Sequence, residues 1–144
     1  MRNRMTGVTL IELMIVVVIV AILASIAVPS YRSYVLRSHR VDAKTALLNL
    51  AAAQEKFYVQ NNTYATNSQL TTAPPNGLGL SATTERGWYS IAIANGANAA
   101  GFSATATATG SQTADDDCAT FTINQLGQKT ATKSGGGAST VCWN

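Results

Sequence analysis

Apolar residues crowd the first fifth of the chain and then thin into two regular patterns. From Val8 to Val28 nearly every position is apolar, and from Leu13 to Tyr31 nineteen consecutive residues carry no charge. As a helix rising about 1.5 Å per residue, that run is roughly 28 Å long, enough to cross the hydrocarbon core of a bilayer. Between residues 30 and 60 helix formers dominate, and Tyr34, Val41, Leu47, Leu48, Ala51, Phe57 and Tyr58 are spaced as one apolar stripe on an amphipathic stem. Residues 61–87 break the period with Asn61-Asn62, Pro74-Pro75, Asn76-Gly77 and Gly79, the signals of a connecting loop. Period-two alternation follows in residues 88–94, 102–109 and 118–124, which predicts three strands in an antiparallel meander with its inner face over the stem. The remainder, rich in Gly and Ser up to Ser139, holds too little apolar surface to order itself. The pattern implies an α+β fold, a long N-terminal helix packed on a small antiparallel sheet.

An ordinary secretory signal peptide shares the basic start, the apolar run and the small residues around 24–27. Two features separate this chain from that alternative. Glu12 sits inside the apolar block, where an ionised carboxylate costs about 2.5 to 3.5 kcal/mol at mid-bilayer. The helical pattern also continues past the apolar run as the amphipathic stem. A carboxylate among apolar side chains needs a cationic partner or a proton. Otherwise it lies at the cytoplasmic interface, in water.

Charge, divided by region, alters the reading of a basic pI. The chain has ten Lys and Arg against seven Asp and Glu, net +3. Arg2 and Arg4 stand before the apolar block and favour retention of the start in the cytoplasm. The stem from Arg32 to Lys56 carries a net +3, while everything after Lys56 sums to −1. The C-terminal region is therefore a weak candidate for phosphate binding, with only Arg86, Lys129 and Lys133 available. Cys118 and Cys142 are the whole thiol inventory, with no His or further Cys at metal-ligand spacing, so one disulfide in an oxidising compartment is the economical reading. Such a bridge closes a loop of about twenty-five residues and tethers the tail, a contribution of roughly 3 to 4 kcal/mol. Asp115, Asp116 and Asp117 lack the alternating ligands and Gly of a calcium loop and read as a solvated turn. His39 reads as a solvated or inter-subunit polar residue. No phosphate loop, zinc motif or nucleophile elbow is present; the expectation is no catalytic residue, no metal and no cofactor.

Gly7 followed by Val8-Thr9-Leu10-Ile11-Glu12 resembles the prepilin signature of the type IV pilin family. The resemblance implies a leader of residues 1–7, cleavage between Gly7 and Val8 by the prepilin peptidase, and methylation of the new amine on Val8. It implies a transmembrane and filament-core helix over 8–29 and a periplasmic globular domain over 30–144, with stem 30–60, αβ-loop 61–87 and sheet with C-terminal loop 88–144. Glu12 would set the axial register against the Val8 amine of a neighbouring subunit. Two positions depart from the family's usual pattern: Val8 stands where Phe is common, and Ala21 where many pilins have a helix-loosening Gly. Pro29 would bend or locally unwind the helix. The segment from Cys118 to Gly127, with Cys142-Trp143 at the end, is similar to the disulfide-bounded loop of PilE-like minor pilins. The implied role is a structural minor subunit that contributes to assembly, twitching motility, adhesion and, as a further possibility, DNA uptake. The alternatives are a major pilin, a type II secretion pseudopilin, or a DNA-uptake receptor on the pilus. The implied partners are major and minor pilins, the processing peptidase and methyltransferase, the inner membrane and the assembly platform, with DNA the weakest candidate. The implied location is the inner membrane as a single-pass protein, then the cell-surface pilus.

Overall fold

A computed structural model describes residues 8–94, 97–98 and 100–144. Helix α1 spans Leu10–Asn61, with Pro29 inside it. A 3-10 turn at Asn67–Gln69 follows, then β1 (Tyr89–Ile93), β2 (Ser103–Ala108), a second 3-10 turn at Gly110–Ala114, β3 (Thr120–Asn124) and β4 (Lys129–Thr132). The chain divides into two compact units, residues 1–35 and 36–144.

In the first unit α1 is apolar on every side and exposed from Leu10 to Tyr34. Its N-terminus is capped locally: the Glu12 amide donates to Thr9 Oγ1 at 3.3 Å and the Leu13 amide to the Thr9 carbonyl at 3.2 Å. The hydroxyls of Ser25, within the apolar run, and Ser33, just after it, donate back to the Ile22 and Ser30 carbonyls, so neither is an unmet polar group.

The second unit holds the core. The strands form one antiparallel sheet in the order β1-β2-β3-β4. Three of the strands match the expected alternations to within a residue or two at each end. The fourth, β4, falls in the stretch expected to be an unstructured tail. It has one buried residue, Ala131, paired opposite Phe121. A strand with one apolar side chain in four carries almost no period-two signal; pairing with β3 makes it a strand.

Alternation sorts the side chains cleanly. Tyr89, Ile91, Ile93, Ala104, Ala106, Ala108, Phe121 and Ile123 face the core. Ser90, Ser103, Thr105, Thr107, Thr120, Thr122 and Thr132 occupy the opposite, uncharged face. From the stem, Ala43, Leu47, Leu50 and Phe57 join the same core.

The stripe on the stem is not the expected one. Buried positions run Arg40, Ala43, Leu47, Leu50, Gln54, Phe57, a strict three-four alternation. Tyr34 and Val41 are exposed, and Leu48 is 44% exposed. Two members of the true stripe are polar, so an apolar count rotates the helix toward the wrong face.

Both sheet edges are covered, which removes the open backbone row that promotes strand addition. On the β1 side, Thr83 bridges Ser90, and Asn67 Oδ1 accepts the Ile93 amide at 2.9 Å. On the β4 side, the Ser139 amide donates to the Ala131 carbonyl at 2.8 Å and the Trp143 indole to the Thr130 carbonyl at 2.8 Å. The tail is held there by the Cys118–Cys142 disulfide.

Candidate functional site

The first candidate surface is the N-terminal stretch of α1. Val8 is 71% exposed, Leu10 76% and Ile26 70%, and none of the residues in the most apolar eighteen-residue window is buried. So large a continuous apolar surface is not sustained in water; lipid or other apolar helices must cover it. Glu12 is the one charged side chain between Val8 and Tyr31 and stands in the first helical turn, where the positive end of the helix dipole favours a carboxylate. Val8 is the first described residue, and Gly7, on the other side of the expected cut, lies outside the described residues.

The second surface is the disulfide-bounded region; the turn just before it, with Gln112 and Asp115, is fastened to the stem by a buried polar cluster. Arg40 donates from Nε and Nη2 to the two carboxylate oxygens of Asp115, both at 2.7 Å. The side chains are 11% and 5% exposed, so this is a bidentate pair largely removed from water. The bond to Asp115 holds the guanidinium pKa above its ordinary value, outweighing the opposing effect of burial. Asp115 is thus not part of a solvated turn, as expected from the run of three aspartates. Asp116 and Asp117 remain exposed.

Gln112 organises the rest of the cluster. Its Nε2 donates to the Leu36 carbonyl (3.0 Å), the Tyr89 hydroxyl (3.0 Å) and Asp115 Oδ2 (3.3 Å). With the amide so oriented, Oε1 faces His39 Nδ1 at 2.9 Å, which requires the imidazole proton to lie on Nδ1. The ring stacks on Trp88, centroids 4.2 Å apart and 9° from parallel. His39 therefore packs within its own subunit, where a solvated or inter-subunit residue was expected. Burial pushes the Tyr89 hydroxyl up to about 12, helped by the charge on Asp115.

The αβ-loop is anchored in the same manner. Gln54 Nε2 donates to the Ala65 carbonyl at 2.9 Å while its Oε1 accepts the Ala65 amide at 2.8 Å. Gly77 packs so closely that an added Cβ would collide with the Gln69 and Thr72 carbonyl oxygens, which reserves the position for glycine.

Cys118 and Cys142 are bonded, as the thiol inventory implied. Among the described residues no group of three or more His, Cys, Asp or Glu could hold a metal. Glu12 and Pro29 belong to α1 in the first unit, and the disulfide belongs to the second. Sequence reasoning missed Arg40, Gln54, Gln112 and Asp115 because polar residues were assigned to solvent. The signal for the first two was the three-four spacing that they share with Ala43, Leu47, Leu50 and Phe57.

Residues 29–122 match the family described as type IV minor pilin ComP, DNA uptake sequence receptor, and residues 2–28 match the prokaryotic N-terminal methylation motif. The chain belongs to the type IV pilin family, whose members are structural subunits and not enzymes. The type IV wide pilus major component PilA4 of Thermus thermophilus is 35% identical over 95 residues, covering 66% of this chain and 69% of that protein. The type IV major pilin protein PilE1 of Neisseria gonorrhoeae is 34% identical over 98 residues, 67% of this chain and 43% of that one. The type IV major pilin protein PilA of Myxococcus xanthus is 48% identical over 64 residues, 44% and 28% respectively. The matches to these last two span less than half of their length. A type IV pilin from Shewanella oneidensis has a solved structure with 26% identity and a TM-score of 0.47, covering 65% of this chain and 89% of that one.

Proposed function

We propose that this chain is a minor subunit of a type IV pilus, held in the inner membrane by α1 until its apolar stretch is transferred into a filament core. The carrying observation is the fully exposed apolar stretch of α1 with a single carboxylate, Glu12, in its first turn. In this reading the prepilin peptidase cuts between Gly7 and Val8, the amine of Val8 is methylated, and the globular unit lies in the periplasm. Other pilins then replace lipid around the helix. Glu12 pairs with the Val8 amine of a neighbour and so selects one axial register, because any other register leaves a charge unpaired among apolar groups. Pro29, which lacks the amide that would bond to the Ser25 carbonyl, is the point where the helix loosens on assembly. A minor rather than a major role is supported by the family match, which covers 94 of the 144 residues.

The test is quantitative mass spectrometry of filaments sheared from cells, with the N-terminal peptide sequenced. A small fraction of total pilin, beginning at methylated Val8, is the expected result. Dominance would make it the major subunit, and absence from filaments with the processed form in the membrane would make it a pseudopilin.

A second reading, contact with DNA at the filament surface, is favoured by the description of the family that matches residues 29–122. Lys129 lies over the Trp143 ring at 5.4 Å and Lys133 is 52% exposed, so a small basic and aromatic patch sits beside β4. The uncharged outer face of the sheet limits such contact to few phosphates. Mobility shifts should show weak, strongly salt-dependent binding, in the range of about 1 to 100 μM at physiological salt.

A further inference from the structure

We infer that the cleft between the stem and the last part of the αβ-loop is a binding site for an alkylammonium group. The cleft has a volume of about 320 Å³, near the lower end for ligand cavities. Its floor includes Leu50, Leu80 and Ile91, and its walls carry Asp42 and Glu85 among hydroxyl and amide groups. Arg86 is the one cation in the lining, against two carboxylates.

Asp42 supplies the argument. It is half-buried and lines the cleft, and its Oδ2 is enclosed without a hydrogen-bond donor among the described residues. A carboxylate oxygen shut from water and left unmatched is costly, and a cation entering the cleft would offset that cost. Asp42 and Glu85 belong to no group of three or more His, Cys, Asp or Glu among the described residues. An ammonium on an aliphatic stem matches both parts of the lining: methylenes over the leucines and isoleucine, the charge toward Asp42. Such a group can come from a lysine of a neighbouring subunit or from a free amine.

The experiment titrates the full chain in detergent with 1,5-diaminopentane and, as the neutral isostere, 1,5-pentanediol, following amide chemical shifts of the cleft residues. The diamine should bind at least about ten-fold more tightly than the diol, the discrimination expected of a charge-assisted contact. D42N should abolish the preference, and R86Q should strengthen diamine binding by removing the competing cation. Equal binding of diamine and diol, or an unchanged preference in D42N, would overturn the proposal. So would loss of binding in R86Q with a lowered unfolding midpoint, which would mean that Arg86 itself fills the cleft. The source is then read from intact filaments, where carbodiimide treatment joins paired carboxylates and amines. An Asp42–Lys isopeptide between subunits assigns a neighbour's lysine; diamine binding to filaments without that product assigns a free amine. This last arm alone rests on the pilus reading.

Discussion

At the residue scale, Arg40 and Asp115 make the sharpest case for tertiary context. An isolated buried ion pair gains little over an apolar replacement, but loss of one partner leaves the other charged and unpaired. Asp115→Asn should therefore lower stability by about 3 kcal/mol, measured by urea unfolding of the detergent-solubilised chain. Replacing both, as R40M with D115L, should recover part of that loss. Tyr89 adds a pH dependence of definite sign. Its folded pKa of about 12 lies above the ordinary value near 10. Below pH 10 both folded and unfolded chains hold the proton; above it the unfolded chain releases it first. Stability should thus be intact at neutral pH and fall by roughly 2 kcal/mol between about pH 10 and 12. Tyr89→Phe should flatten that fall in alkaline thermal melts.

At the element scale, the strands with alternating side chains were legible because β1, β2 and β3 each bury one face. The fourth was not legible, since Lys129-Thr130-Ala131-Thr132 presents a single apolar residue. What makes it a strand is β3 on one side and the tethered tail on the other. Removal of the disulfide by the double change Cys118→Ser with Cys142→Ser should cost roughly 3 kcal/mol in the chain-entropy model. The loss should begin at β4, seen as faster amide exchange at Thr130 and Thr132, which face β3, than at Ala104 and Ala106 in the centre of the sheet. Uniform acceleration across the sheet would mean that the tail is not a separate cooperative unit.

At the scale of the whole molecule, the division of labour between the two units sets the expected phenotype. In the proposed role the apolar part of α1 makes the membrane and filament contacts, while the polar cluster and the disulfide hold the globular unit together. Glu12→Leu should leave membrane insertion intact, because it only removes a charge from an apolar helix. The same change should cut recovery in sheared filaments by at least about ten-fold, since a buried charge pair with a neighbour's amine would be lost. An unchanged filament fraction for that variant would remove Glu12 from the register mechanism.

The sequence by itself determined the long helix, its apolar N-terminal stretch, the alternation of three strands and the pairing of two cysteines. Those features rest on periodicities within a segment, or on an inventory with one solution, and need no distant partner. Only the tertiary structure decided which face of the stem is buried, that Arg40, Gln54, Gln112 and Asp115 lie inside, and that the polar tail completes the sheet. Each of these depends on residues as far apart as Arg40 and Asp115, seventy-five positions along the chain. A polar side chain reads as solvent-facing until its partner is known, and the partner is placed by the fold.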